Sequence, residues 1–339
     1  MMKKQYSHLV LFLSLCTLTA CNDSKNEDSI DPDPLPPSIT YHVEGYAELG
    51  AFDHNSTLTV FPLDKSLAHI EEQAYGGKVE TDYGLFSASG NMKFQESLYF
   101  EVQVTGNFFN GTKGRRSEHK TTLRAINHVI NHADEERSIN RYIKLPATNV
   151  NIFTQLTAAR ICTLLKKAAG YNEMSHTITD IYRNASEQAL KEVLTAFSIS
   201  DIYVSMLSID PTRASFSQYN APASMMAAVS NILLTSVDEE LLDTFFTEWD
   251  KDFAPDGRID NEDIKESIRD GQQSLKYTNV YKQLDSFYKA YDFKSDFPEF
   301  WKFVDRNGDG ILDKQDKPDD FEITEEELTP SQQQCIQLL

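Results

Sequence analysis

Several spellings that announce chemistry are missing from this 339-residue chain. There is no Gly-x-Ser-x-Gly elbow for a nucleophilic serine, no glycine-rich phosphate cradle and no His-Glu-x-x-His zinc helix. Positive charge is also scarce, with 32 Lys and Arg against 52 Asp and Glu and a formal net charge of −20 at pH 7. A polyanion would be repelled by such a surface, so nucleic acid is excluded as an expected partner. Long hydrophobic runs are absent too. The apolar stretch near the start, Leu9 to Leu18, is shorter than the ~20 residues that a membrane-spanning helix needs.

Histidine offers little more. His128 and His132 stand at i and i+4 in Asn-His-Val-Ile-Asn-His, a spacing that would let them share a helix face and bind a transition metal. Asp134, Glu135 and Glu136 lie nearby, but none is spaced as a clear third ligand. A solvated pair is the expected reading, and no residue is assigned a catalytic role.

What the chain does have is acid in a definite order. Residues 305 to 316 read Asp-Arg-Asn-Gly-Asp-Gly-Ile-Leu-Asp-Lys-Gln-Asp. A calcium loop of this length takes oxygen ligands from positions 1, 3, 5, 7, 9 and 12, with glycine at position 6 where the chain turns sharply. Those positions hold Asp305, Asn307, Asp309, the Ile311 carbonyl, Asp313 and Asp316, with Gly310 at the turn and Leu312 as apolar anchor. Upstream, Phe297, Phe300, Trp301 and Val304 fall at i, i+3, i+4 and i+7, which predicts an entering helix with Asp296 as N-cap and Pro298 in its first turn. Downstream, Pro318 disfavours helix through Lys317, so the exit helix is expected to be truncated or displaced.

A second twelve-residue loop, 252 to 263, has Gly257 at position 6 and Ile259 at position 8. Asp252, Asp256, the Arg258 carbonyl, Asp260 and Asp263 occupy positions 1, 5, 7, 9 and 12. Ala254 and Pro255 at positions 3 and 4 leave the ligand set incomplete, although Asp250 would substitute if the loop bulged. Leu242, Phe245, Phe246 and Trp249 predict its entering helix, and the repeat from Tyr277 through Val280, Tyr281, Leu284, Phe287 and Tyr288 to Tyr291 predicts one long helix between the loops.

This region resembles the EF-hand and dockerin group of calcium modules, and residues 237 to 328 are expected to form a degenerate EF-hand pair. The resemblance implies Ca2+ at 305–316, with 252–263 a weaker site or a structural relic. Asp316, shorter than the bidentate Glu of a sensor loop, and Pro318 point to a standing structural ion rather than a large opening. Thr324 to Glu327 before Leu328 spells a capping box, so a short final helix is expected.

The N-terminus suggests a location. Lys3 and Lys4 precede the apolar run, and no acidic residue occurs before Ala20, the layout of a secretory signal peptide over residues 1–20. Leu18-Thr19-Ala20-Cys21 resembles a bacterial lipobox, which implies a lipidated Cys21 at the start of the mature chain. Residues 21–39 are acidic and proline-rich, a composition unable to bury enough apolar surface to order itself, and are expected to be a tether. The expected location is extracytoplasmic, membrane-anchored through Cys21, at the outer membrane or cell surface. Loss of residues 1–20 removes two lysines and no acid, so 32 basic residues become 30 against 52 acidic and the net charge becomes −22. With Cys16 cleaved away and Cys21 acylated, Cys162 and Cys335 remain, either paired in an oxidising compartment or as free thiols.

Residues 40–150 carry alternating, β-branched runs such as 56–61, 98–104 and 121–126, separated by turn residues, which predicts a β-sandwich. Thr81-Asp82-Tyr83-Gly84-Leu85-Phe86 resembles the turn of carboxypeptidase-regulatory-like and collagen-adhesin B-type sandwiches. That resemblance implies a structural role, with Asp82 and Gly84 shaping a hairpin and Phe86 entering the core. Residues 151–339 read as helical, with apolar faces at Ile161, Leu164, Leu165 and Ala168, at Leu190, Val193, Leu194 and Phe197, and at Met226, Val229 and Leu233. The longest internal loop is expected between Ser208 and Pro222. The predicted fold is therefore α+β and multidomain, an N-terminal β-sandwich followed by an all-α domain ending in a degenerate EF-hand pair.

Two functional expectations follow. The first is a noncatalytic, calcium-binding, lipid-anchored protein acting in adhesion, ligand capture or assembly, with a protein or glycan as its ligand. The alternative is a lipid-anchored enzyme or enzyme subunit with a structural calcium and a carboxylate or His site of unfamiliar pattern. A deep pocket with converging acids or histidines favours the enzyme, and an aromatic-lined surface patch favours binding.

Overall fold

Period-2 alternation builds a curled sheet from the first part of the chain, and 3.6-residue periodicity beyond Asn151 builds helices that share its core. The computed structural model describes residues 40–91, 98–129, 142–173, 177–218, 220–293 and 300–318, all in one compact unit. The expected signal peptide, the tether with Cys21, His132, Asp296 to Pro298, the 324–328 helix and Cys335 lie outside the described residues.

The strands are β1 (Thr40–Glu48), β2 (Thr57–Leu63), β3 (Tyr75–Val79), β4 (Leu85–Asn91), β5 (Tyr99–Gly106), β6 (Phe109–Asn110), β7 (Arg115–Arg116), β8 (Thr121–His128), β9 (Tyr142–Lys144) and β10 (Val150–Asn151). One eight-stranded sheet runs β10-β1-β4-β3-β2-β5-β8, with β9 also on β1, and β6 and β7 form a separate ribbon. β1 pairs antiparallel with β4 along one edge and parallel with β9 and then β10 along the other. β8 and β10, at opposite ends of the path, come into contact, which curls the sheet. The described strands form one curled path, so the two facing sheets of the expected sandwich are not seen among them, and the helices pack chiefly against β8 and β10.

The 81–86 turn joins β3 to β4. The Thr81 hydroxyl accepts from Leu85 N at 3.0 Å, Gly84 sits at φ 89°, and Phe86 is fully buried. Asp82 lies outside the core and accepts from His54 N at 3.2 Å.

Among the described residues seven α-helices follow: α1 (Ile152–Lys167), α2 (Ile178–Ala196), α3 (Ile202–Leu207), α4 (Ala221–Ser236), α5 (Leu242–Phe253), α6 (Glu262–Ser274) and α7 (Tyr277–Lys289). Strand β10 passes straight into α1 because Asn151 is both strand residue and N-cap, accepting from Thr154 N while the Thr154 hydroxyl accepts from Asn151 N. The 208–220 connection contains one short 3-10 turn and ends at Asn220, which caps α4, with Pro222 in the first turn. α4 is apolar or small on nearly every side and is buried almost throughout, the behaviour of a helix with no solvent face.

One apolar cluster runs from Val43, Phe86 and Val102 of the sheet to Leu194, Met226, Trp249 and Tyr277 of the helices. Each large side chain buried there contributes about 1.5–3 kcal/mol. The Trp249 indole also donates to the Leu156 carbonyl at 2.9 Å, tying α5 to α1. A smaller cluster holds Tyr99, Ile126, Ile161, Leu165 and Tyr182, with Cys162 packed on it.

Two helical expectations change. The segment between the loops is two helices, α6 and α7, with a break at Leu275 and Lys276, and Tyr291 lies beyond the end of α7. The described part of the entry to 305–316 is a 3-10 turn, Phe300–Phe303, in which Phe300, Trp301 and Phe303 are buried.

Candidate metal centre

The 305–316 segment folds as a closed loop held by its own acids. Asp305 accepts from Gly308 N at 2.8 Å and from Gly310 N at 2.9 Å, one amide per carboxylate oxygen. Asn307 accepts from Asp309 N, and Asp309 from Ile311 N, both at 2.8 Å. Asp316 closes the loop by accepting from Arg306 N and Asp313 N at 2.9 Å, and from Asn307 N at 3.4 Å. Gly310 has φ 78° at the sixth position, a conformation that other residues adopt only under strain. The first and last acids, Asp305 and Asp316, are 2% and 1% exposed, whereas Asn307, Asp309 and Asp313 are open to solvent.

Hydrogen bonds to amides use part of the acceptor capacity of these carboxylates, and an ionised carboxylate has about four lone-pair sites. The oxygens that keep an unused lone pair are hard donors of the kind Ca2+ takes. The donor set Asp305, Asn307, Asp309, Asp313 and Asp316, with the Ile311 carbonyl, fits calcium in its chemistry. Among the described residues, however, no group of three or more His, Cys, Asp or Glu side chains converges as a metal cluster. Ile311 is 60% exposed and Leu312 is half-buried, so the apolar anchoring expected of Leu312 is slight.

The 252–263 segment has a different internal bonding. Asp252, on the last turn of α5, accepts from Asp260 N at 2.8 Å and Asn261 N at 3.0 Å. Asp256 accepts from Arg258 N, and Asn261 caps α6 by accepting from Asp263 N. Gly257 sits at φ 79°, as the spacing predicts, and Ile259 packs on the main core. Asp250 does not enter the loop. It faces the sheet, where Arg124 binds it at 2.5 Å.

A protein cation grips this loop. Arg160 of α1, 4% exposed, donates to the carbonyls of Ala254 at 3.2 Å and Pro255 at 2.9 Å. The same guanidinium forms a two-pronged pair with Glu192 of α2, at 2.7 and 2.8 Å. Sequence reading missed both residues, because an Arg on an otherwise apolar helix face and a Glu on the next helix carry no spacing signal toward a loop about ninety positions away. No strand or isolated bridge joins the two loops among the described residues.

Two further groups were illegible in the sequence. Glu101, 3% exposed on β5, receives the His69 imidazole at 3.2 Å and the Gln103 amide at 2.6 Å, and Arg124 lies 3.7 Å away. Burial works to raise its pKa, but the His69 hydrogen bond and the Arg124 charge prevail and hold it below the ordinary value. Asp250 shares Arg124 yet is pushed up to about 6, burial being the largest cause. The second group surrounds His128, which ends strand β8 instead of lying on a helix face. Its ring is buried, stacked on Tyr182 at 4.7 Å, and burial pushes its pKa down to about 4. The expected solvated pair with His132 is thus corrected at its described member.

No protein-family model, no curated protein and no solved structure matches this chain.

Proposed function

We propose that this protein is a noncatalytic, calcium-stapled binding protein, exported and anchored by lipid at Cys21, with its folded part held off the membrane by the 21–39 tether. The observation that carries the calcium part is the closure of 305–316 by two buried carboxylates, Asp305 and Asp316, whose amide bonds leave lone pairs unused on both Asp305 oxygens and on Oδ2 of Asp316. Burying ionised groups is costly unless a counter-charge or hydrogen bonds compensate, and a divalent ion supplies the missing charge. In this reading 237–328 derives from an EF-hand pair in which the second loop keeps its ion and the first has exchanged it for Arg160. Calcium acts as a fixed brace for the chain that follows α7.

The membrane through Cys21 and a protein or glycan ligand are the partners in this reading. Calorimetric titration of the full-length protein in detergent with Ca2+ tests it, with Asp305→Ala and Asp252→Ala alongside. Heat that disappears in Asp305→Ala and persists in Asp252→Ala supports a single site in the second loop. Absence of heat and of any calcium-dependent rise in melting temperature in the parent protein sinks it. For the anchor, Cys21→Ser is expected to release the protein from membranes, and undiminished membrane retention refutes lipidation there.

A further inference from the structure

Asparagine is followed directly by glycine at two places in this chain, Asn110-Gly111 and Asn307-Gly308. At such a step the glycine amide nitrogen can attack the asparagine side-chain carbon, because no Cβ on the following residue stands in the way. The fold treats the two steps in opposite ways. Asn110 is fully buried, and its Nδ2 donates to Glu239 at 2.7 Å. Its Oδ1 accepts from Thr112 N at 3.0 Å, the Thr112 hydroxyl at 2.7 Å and Lys113 N at 3.3 Å. Beside Gly111, Asn231 and Leu284 atoms lie 2.8 and 3.0 Å from where a Cβ would stand. Turning the Asn110 amide onto Gly111 N would break all four bonds in a water-excluded interior.

Asn307 and Gly308 are both exposed, and nothing lies within 4 Å of where a Gly308 Cβ would stand. Gly308 sits at φ 75°, a conformation that glycine adopts without strain. The Asn307 side chain is bonded to Asp309, two positions on in the same loop. Its Oδ1 accepts from Asp309 N at 2.8 Å, and its Nδ2 donates to Asp309 Oδ2 at 2.9 Å. The first bond points at the oxygen on which negative charge grows when the side-chain carbon is attacked, so it favours the tetrahedral state. Gly308 N–H donates to Asp305 Oδ1 at 2.8 Å. That bond lies in the peptide plane, and attack uses the electrons of nitrogen above and below it, so Asp305 holds the nitrogen without blocking it.

We propose that Asn307 is a site of spontaneous covalent modification, at which the chain deamidates itself through a cyclic imide with Gly308. Hydroxide removes the Gly308 amide proton, the nitrogen bonds to Asn307 Cγ, and the Cγ–Nδ2 bond breaks as ammonia leaves with a proton from water. Water then opens the ring. Opening at Cγ gives aspartate with the ordinary backbone, and opening at the main-chain carbonyl leaves Gly308 joined through Cγ as isoaspartate. The balance is one water consumed and one ammonia released. Either product adds a negative charge to the loop, and isoaspartate also lengthens its backbone by one carbon between Asp305 and the Gly308 and Gly310 amides that close it. The change is one-way, so the loop records the age of the molecule. It goes beyond the binding reading and stands whether or not the loop takes an ion.

Incubation of the full-length protein in detergent and EDTA, warm and mildly alkaline, tests the assignment, with a parallel sample in urea. Peptide mapping by mass spectrometry follows the exchange of –NH2 for –OH, and enzymatic methylation detects isoaspartate. In the folded protein Asn307 is expected to convert at least about tenfold faster than Asn110, the equivalent of one lost buried hydrogen bond. In urea the two should convert at similar rates. Asn307→Gln, which would need a larger ring, should abolish conversion at 307, and Gly308→Ala should slow it at least about tenfold in urea as well, where folding plays no part. Protection of Asn307 in the folded protein as strong as that of Asn110 overturns the proposal. So does conversion that yields aspartate without isoaspartate, since direct hydrolysis would then replace the ring.

Discussion

Glu48 makes this protein's stability fall as pH rises, and the size of that fall follows from where the carboxyl sits. It is the last residue of β1, opposite Asn151 of β10, and is 1% exposed. Its two oxygens face neutral donors, the Ser215 hydroxyl and Phe216 N, each at 3.2 Å. These bonds favour the ionised form, but complete burial outweighs them and pushes the pKa from 4.5 up to about 8. Below 4.5 the carboxyl is protonated in both folded and unfolded chains, and the stability it confers is fully present. Between 4.5 and about 8 the folded protein keeps a proton that the unfolded chain has released. Stability should therefore fall by about 1.4 kcal/mol per pH unit across that window, on the order of 5 kcal/mol in all. Glu48→Gln holds the neutral form permanently. Urea unfolding at intervals from about pH 5 to about pH 8 should show the variant gaining on the parent with that slope. A difference between the two proteins that does not change with pH refutes the reasoning. The same comparison cancels other titrating groups, His128 among them, whose depressed pKa makes stability rise with pH between about 4 and 6.5.

Three other outcomes are expected. Arg160→Met should destabilise by about 3–5 kcal/mol in urea unfolding because it leaves Glu192 and two loop carbonyls without their cation, and adding Glu192→Met should recover much of the loss. Asp316→Asn keeps a carbonyl oxygen for the Arg306 amide but removes charge and ligand capacity, so calorimetric calcium heat should vanish while the circular dichroism of the helices is unchanged. Trp249→Phe loses the bond to the Leu156 carbonyl and part of the core volume, and the melting midpoint should drop by the equivalent of about 1–3 kcal/mol.

The parts of this fold that announce themselves in sequence are those where one face of an element meets the core. The runs at 56–61, 98–104 and 121–126 became β2, β5 and β8, because alternation along a strand maps directly onto a buried face. Trp249 and its i−3 and i−4 partners became the buried side of α5 for the same reason at helical period. Strand order escaped notice, since β1 takes β4 on one edge and β9 and β10 on the other through contacts about a hundred positions apart. Nothing in a local pattern records which edges meet. α6 escaped for another reason: Ile264 and Ile268 are its main apolar contacts, and the remainder of the helix is largely charged or polar. At the candidate site, the loop acids were legible because their spacing is local, whereas Arg160, Glu192 and the surroundings of His128 are assembled from separate elements.

The two loops can be understood as two answers to one electrostatic demand. A turn of acidic residues whose carbonyls point inward needs positive charge close by, and either a divalent ion or a guanidinium can provide it. In 252–263 the third and fourth positions are Ala254 and Pro255, which offer no side-chain oxygen, and their carbonyls are the atoms that Arg160 binds. Glu192 lies against Gly257, where a side chain would collide with its carboxylate at 2.1 Å, so the ion pair is fitted to the turn itself. In 305–316 the third position is Asn307, the fifth is Asp309, and both side chains are open to solvent. A guanidinium on a neighbouring helix stabilises its loop wherever the protein is, but an ion does so only where the medium supplies it. The anchor proposed at Cys21 and the calcium proposed at 305–316 are therefore linked: the proposed export would place the second loop in a medium that supplies the proposed ion, whereas the first loop carries Arg160 with it.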